Sequence, residues 1–329
     1  MSRRLELLRL LADGREHSGE ALAAALAVSR AAVWKQVRQL EQWGLEVHAV
    51  AGRGYRLAWP LDLLEERGLL ERLPGMAGER MRRLTLADEL ESTNETLLAV
   101  DDLPPGQFDL CLAEYQSQGR GRRGRSWVAP FGSGVCLSVN WCFTEAPPQL
   151  AALSLAAGVA VRRALSRCGV PGADLKWPND VLYDGRKLGG ILSELRAEAG
   201  GPAYVVIGVG LNVQLPPPAR AEIAATGVEA ACLGDLGLAA PPTRSALAAA
   251  LAGELALALV EFEQVGFAPF FEEWCAADAL CAQPVRLQHG ARVTEGVARG
   301  IDREGALLFE AGGRLERIVA GEVSVRPVP

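Results

Sequence analysis

Leucines at 5, 8 and 11 recur at helical spacing, and Asp13-Gly14 closes the helix they predict. Ser18 is placed to cap a second short helix carrying Leu22, Ala25 and Leu26. Ser29 is placed to cap a third, which runs to about Trp43 before Gly44 ends it. Val33, Val37 and Leu40 form its inward stripe, and Arg30, Ala31, Trp34, Lys35 and Arg38 lie on the other side. Two short strands, Leu45–Ala49 and Tyr55–Ala58, follow around the turn Ala51-Gly-Arg-Gly54. Beyond a linker with one expected helix (Leu61–Leu73), strand-like runs appear at Phe108–Tyr115, Val135–Phe143, Val181–Tyr183, Gly190–Leu195 and Tyr204–Val213. Long helical stretches fall at about Gln149–Cys168 and Thr243–Phe262, and Phe270, Phe271 and Trp274 mark a short aromatic helix. From Pro284 five short alternating runs are separated by glycine turns.

Helix, helix, tight turn, helix and two-stranded ribbon is the plan of a winged helix-turn-helix. It offers Ser29, Arg30, Ala31, Trp34, Lys35 and Arg38 to a DNA groove, with Arg53 at the wing tip. In the middle of the chain, strands joined by tight turns favour a mixed, largely antiparallel sheet. The last segment reads as a small SH3-like β-barrel. The expectation is a multidomain α/β protein divided at 1–62, 63–282 and 283–329.

Charge sharpens this division. The 329 residues carry a net charge of -6, yet the first sixty hold nine basic side chains against six acidic ones. A basic module on an acidic body suggests a local polyanion contact. The seven cysteines are scattered, with no Cys-x-x-Cys pair, so neither a disulfide framework nor a zinc site is indicated. No uninterrupted apolar stretch is expected to span a bilayer, and the N-terminus lacks a signal-peptide pattern, which predicts a cytoplasmic protein with no membrane partner.

Gly119-Arg-Gly-Arg-Arg-Gly-Arg-Ser-Trp127 packs four arginines, three glycines and a tryptophan into nine positions. Guanidinium groups are too costly to bury unpaired, and the glycines remove helix propensity. A cationic loop for an anionic ligand remains. Its literal G-x-G-x-x-G match is not a dinucleotide fingerprint, because Trp127-Val-Ala-Pro-Phe-Gly cannot be the helix that fingerprint requires. Lys176-Trp-Pro-Asn-Asp180 sets a lysine beside an Asn-Asp pair, suited to a carboxylate or α-phosphate, with Asn179 and Asp180 placed to orient a nucleotide or its Mg²⁺. Glu91-Ser-Thr-Asn94 reads equally as a helix cap, and Lys187-Leu-Gly-Gly-Ile191 as a plain hairpin turn. Gly208-Val-Gly-Leu-Asn212 ends a buried strand with an asparagine.

Taken in order, Ser92-Thr-Asn94, Glu114-Tyr-Gln116, the arginine loop, Lys176–Asp180, Lys187–Ile191 and Gly208–Asn212 resemble the biotin–protein ligases. With the winged helix in front, the chain looks like the bacterial bifunctional ligases that also repress the biotin operon. The resemblance covers essentially the whole chain. It implies a central domain similar to class II aminoacyl-tRNA synthetase cores. It also implies activation of biotin by Mg·ATP to biotinyl-5′-AMP, and transfer to one lysine of the biotin carboxyl carrier protein of acetyl-CoA carboxylase. Ser92, Thr93, Asn94, Gln116, Arg120, Gly121, Arg122, Trp127, Lys176 and Gly190 would then hold biotin. Arg120, Arg122 and Lys176 would neutralise the meeting anions, and Arg122, Arg125, Asn179, Asp180 and Asn212 would hold ATP, with Mg²⁺ near Asp180. Arg326 is a candidate for reaching back to the site. The adenylate-bound form would dimerise on operator DNA. The alternatives are a ligase whose winged helix does not bind DNA, and a lipoate-type ligase.

Overall fold

The computed structural model describes residues 3–197, 202–289, 292–319 and 323–327. Helices α1 (Arg3–Leu11), α2 (Gly19–Ala25) and α3 (Arg30–Leu40) pack around the leucine stripes. Ser18 and Ser29 each turn a side-chain oxygen onto an otherwise unpartnered amide, Ala21 N–H at 3.0 Å and Ala32 N–H at 3.2 Å. A 3₁₀ turn, Glu41–Trp43, ends on Gly44 in the left-handed region. Strands β1 (Val47–Val50) and β2 (Gly54–Leu57) form the antiparallel wing. A Cβ on Gly54 would lie 1.9 Å from the His17 carbonyl oxygen, so the wing closes only with glycine there.

One member of this N-terminal core comes from far along the chain. Phe131 is fully buried, stacks on Trp43 with centroids 4.6 Å apart, and donates its N–H to the Trp43 carbonyl at 2.8 Å. The winged helix is therefore packed onto the rest of the molecule through its own core.

The linker departs from the single helix expected at Leu61–Leu73. Asp62–Leu64 is a strap: Asp62 accepts from the Arg244 N–H (2.6 Å), and Leu64 N–H donates to Glu114 (2.6 Å). The Asp62 carbonyl also accepts from the Arg244 guanidinium (2.7 Å), so long-range partners take the Asp62 C=O and the Leu64 N–H, and two short helices, α4 (Glu66–Leu70) and α5 (Gly75–Arg80), follow instead.

The central sheet runs through β3 (Met81–Leu90), β4 (Phe108–Gln116), β5 (Gly134–Phe143), β6 (Ala173–Lys176), β7 (Asp180–Tyr183), β8 (Arg186–Ala197) and β9 (Ala203–Asn212). Its order is β3-β4-β5-β9-β8-β7-β6, with β3 and β4 parallel and the other pairs antiparallel. Short α6 (Thr93–Leu98) connects the parallel pair. The two strands that hydrophobic patterning missed, β3 and β6, are the sheet's edges, where exposure weakens the apolar signal.

Helix α7 (Leu153–Arg167) packs against α9 (Arg244–Val265), which also covers β5; between them in sequence lies α8 (Pro217–Ala225). Contrary to expectation, α9 is long and apolar enough to cross a membrane, with a mean hydropathy of 1.7 over 18 residues. Yet 72% of that window is buried inside the protein, so it is a core helix. Helix α10 (Phe271–Ala277) leads to strands β10 (Pro284–His289), β11 (Arg292–Ile301), β12 (Leu307–Ala311), β13 (Arg314–Ile318) and β14 (Val323–Pro327). These form one antiparallel sheet in the order β13-β12-β11-β10-β14. It meets the central domain where the buried Trp177 indole N–H donates to the Gly305 carbonyl at 3.2 Å.

Candidate active site and nucleic-acid interface

The site is built around a polar floor in an otherwise apolar sheet. Ser92 caps α6, its hydroxyl accepting from Glu95 N–H at 3.5 Å, so the cap reading of this segment is correct as far as Ser92 goes. Thr93 and Asn94, both buried, face the sheet. Gln116 Oε1 accepts the Thr93 N–H at 2.8 Å. Ser138 Oγ lies 2.6 Å from Asn94 Oδ1 and 2.7 Å from Thr93 Oγ1, and its single proton can serve only one of them. Asn94 Nδ2 donates to the Leu192 carbonyl (3.2 Å) and to Glu194 (2.7 Å). Ser138 and Glu194 were not among the expected residues. The signal for Ser138 was available: it is a lone hydroxyl in the buried run Val135–Val139.

Glycines shape the neighbouring floor. Gly190 and Gly210 are cross-strand partners, and the Trp127 indole lies over them. A Cβ on Gly210 would come within 2.4 Å of that ring. The loop that delivers Trp127 closes on itself through Trp127 N–H to Gly119 O (2.8 Å) and Gly121 N–H to Arg125 O (2.6 Å). Arg120 is exposed and lies 3.2 Å from both Glu95 and Glu194. Arg122 is half-buried and donates to Asn179 Oδ1 at 3.3 Å, and burial pushes its pKa down. Arg125 stays exposed at the loop surface.

Asp180 sits between two ammonium groups, Lys176 at 2.9 Å and Lys187 at 2.6 Å, one on each carboxylate oxygen. Burial raises the Asp180 pKa, but the charges of Lys187 and Lys176 outweigh it and hold the carboxyl below its ordinary value. Lys187 also lies 5.8 Å from the Trp127 ring centroid. It was left out of the expected set because its segment reads as a plain turn. The Asn179 side chain donates to the Ile191 carbonyl (2.6 Å), pinning β7 to β8. The Asn212 amide is spent on the Ala231 carbonyl (3.0 Å), and Lys187 N–H donates to Glu229 O (2.8 Å). Glu229 and Ala231, in the Ala/Pro/Gly-rich segment 216–242, thus wall the Lys187 hairpin. No group of three His, Cys, Asp or Glu side chains could hold a metal among the described residues. With both Asp180 oxygens taken by lysines, the expected Mg²⁺ position beside it does not fit a resident ion.

The bifunctional ligase/repressor BirA of Escherichia coli (strain K12) is 39% identical over 323 residues, 98% of this chain and 97% of that one. The chain belongs to the bifunctional biotin ligase/repressor family. Family models agree along its length: an HTH domain at 3–56, the biotin/lipoate A/B protein ligase family at 87–212, and a biotin protein ligase C-terminal domain at 281–326. The biotin–[acetyl-CoA-carboxylase] ligase of Mycobacterium tuberculosis is 37% identical over 280 residues, 82% of this chain and 97% of that one. The solved ligase of Aquifex aeolicus in complex with biotin and ATP shares the fold, with a TM-score of 0.61 at 24% identity over 75% of this chain and 100% of that one.

Of the residues expected to meet DNA, Ser29 is spent on its cap, and Arg30, Ala31, Trp34, Lys35 and Arg38 are all exposed. Arg53 is exposed in the wing turn, but its Nε lies 2.5 Å from Glu16, which partly neutralises the cation expected at the tip. The Arg326 side chain lies outside the described residues.

The glycine floor makes one direct prediction. A Cβ on Gly208 would fall 2.2 Å from Asn94 Oδ1, so Gly208→Ala must displace Asn94 from Ser138. Overpacking of this kind costs about 1–3 kcal/mol, and weaker biotin binding by about tenfold is expected in calorimetric titration. Unchanged affinity would mean that Asn94 does not shape the ligand pocket.

Proposed function

We propose that this ligase/repressor joins biotin to AMP at the Thr93–Asn94–Gln116 floor and passes it to a carrier lysine. The observation that carries the reading is the juxtaposition of that neutral hydrogen-bonding floor with Trp127 and the cations Arg120, Arg122, Lys176 and Lys187. Biotin's ureido ring is uncharged and needs both donors and acceptors, which Thr93, Asn94, Gln116 and Ser138 supply. Its carboxylate must attack the α-phosphate, expelling pyrophosphate. Two anions repel, and fixed cations in a half-buried site offset that repulsion. Magnesium enters with the nucleotide's phosphates. The carrier's lysine amine then attacks the mixed anhydride, and AMP leaves.

No side-chain nucleophile takes part in this scheme. Cys136, behind Gln116 and Trp127, is held at a pKa of about 11 by burial, so it is a thiol rather than a thiolate at neutral pH. The acceptor is the biotin carboxyl carrier protein of acetyl-CoA carboxylase, in the cytoplasm. The same adenylate promotes a homodimer whose winged helices hold operator DNA, supported by the exposed cationic face of α3.

The test is to incubate the protein with Mg·ATP, labelled biotin and a biotin carboxyl carrier domain. Label covalently on the carrier, dependent on ATP, is the expected result. Retention of biotin without transfer would replace the ligase with a sensor, and neither would end the biotin reading.

A further inference from the structure

We propose that Trp34 reads thymine, laying its indole against 5-methyl groups in the major groove and so setting part of the operator this chain selects. The inference rests on the DNA-binding reading above and deepens it by naming a base. Trp34 is 56% exposed on α3, while the inward stripe Val33, Val37 and Leu40 is buried without it. The winged-helix core therefore has no use for this side chain, and an exposed tryptophan on a recognition helix needs another partner.

Its surroundings select that partner. Arg30 and Ala31 lie one turn before it and Arg38 one turn after, all exposed. Ala31, with a single methyl, lets the helix approach a surface closely on that side. The Arg38 guanidinium lies 5.7 Å from the indole centroid and 3.8 Å from Glu41, flanking the ring on the C-terminal side. Arg30, Lys35 and Arg38 make the exposed face of α3 that carries the indole cationic. A second copy of this face would bring like charges together, whereas a phosphate-lined groove is complementary.

Within the major groove the choice narrows further. The only apolar group presented there is the thymine methyl. The indole N–H is a donor with no accepting capacity, so it suits the thymine O4 and conflicts with the cytosine amino group. Trp34 lies in the first half of the helix, the part that meets base edges in this fold.

The experiment is selection of bound duplexes from a random pool by the full-length protein with biotin and Mg·ATP present. Wild type, Trp34→Phe and Trp34→Ala are compared, with the fold of each checked by circular dichroism. Thymine enriched at a fixed position by wild type and Trp34→Phe, and lost in Trp34→Ala, is expected. In the selected duplex, deoxyuridine in place of that thymidine should weaken wild type by about fourfold per methyl removed and leave Trp34→Ala unaffected. Identical enriched sequences from wild type and Trp34→Ala, or no penalty for the missing methyl, overturn the proposal while leaving DNA binding standing. If no variant enriches any sequence, the DNA-binding reading itself falls and the proposal falls with it.

Discussion

Arg244→Ala is expected to lower the stability of the protein by about 3–5 kcal/mol, the range for removing one partner of a buried ion pair. Arg244 is 1% exposed. It reaches Glu114 Oε2 at 2.6 Å, the Gly134 carbonyl through two nitrogens at 2.9 and 2.7 Å, and the Asp62 carbonyl at 2.7 Å. Truncation leaves a buried carboxylate and two carbonyl oxygens without their donor, and each orphaned group costs free energy. The damage spreads because Glu114 also holds Leu64 N–H in the interdomain strap. Chemical denaturation followed by tryptophan fluorescence reads the loss. Pairing Arg244→Met with Glu114→Leu should recover part of it, since the charge is then no longer stranded. A loss under about 1 kcal/mol for the single variant would show that water replaces the arginine at little cost.

The second large effect falls on chemistry. Lys187→Ala is expected to slow adenylate formation by about 10²–10³-fold, the range for removing one preorganised charge from a developing anion. Pyrophosphate exchange dependent on biotin measures it. Lys176→Ala should cost about tenfold less, because Lys187 lies beside the Trp127 ring and the Gly190 floor, whereas Lys176 stands across Asp180. Equal losses, or a larger one at Lys176, would reverse the assignment of the two cations. Asp180→Asn tests what positions them. The Asp180 carboxyl is held below its ordinary value of 3.8, so its contribution to stability is complete above that pH and is lost as pH falls through the depressed value. The stability gap between wild type and Asp180→Asn should accordingly be flat from neutral pH to about 5 and close in stronger acid. A gap that closes already at pH 6 would mean that the carboxylate is not ion-paired in the folded protein.

Much of this architecture was legible in the sequence, for identifiable reasons. Ser18 and Ser29 announced their helices because capping is local chemistry, and the buried strands β4, β5 and β9 announced themselves as predominantly apolar runs. Edge strands β3 and β6 did not, because β3 has no fully buried residue and β6 is only four residues long with Asp174 and Lys176 at alternate positions. The linker was misread because its geometry is set by Glu114 and Arg244, far away in sequence. At the site, residues with unusual composition were visible, such as the arginine loop and Lys176–Asp180. Ser138 and Lys187 were passed over, since a serine in a strand or a lysine in a turn acquires meaning only when topology brings Asn94 or Asp180 beside it. Asn212, conspicuous in sequence, sets its Nδ2 on the backbone carbonyls of Ala231 and Lys187, a tie that only the fold reveals.

The burial of Phe131 against Trp43 also bears on how the chain is made. The first sixty residues contain every helix and strand of the winged helix, yet its interior lacks the Phe131 ring until about seventy more have been synthesised. At translation rates of about 5–20 residues per second, that is an interval of several seconds. During it the N-terminal module is present on the ribosome with Trp43 unstacked. The winged helix therefore gains Phe131, a fully buried member of its core, only when the segment following the arginine loop emerges.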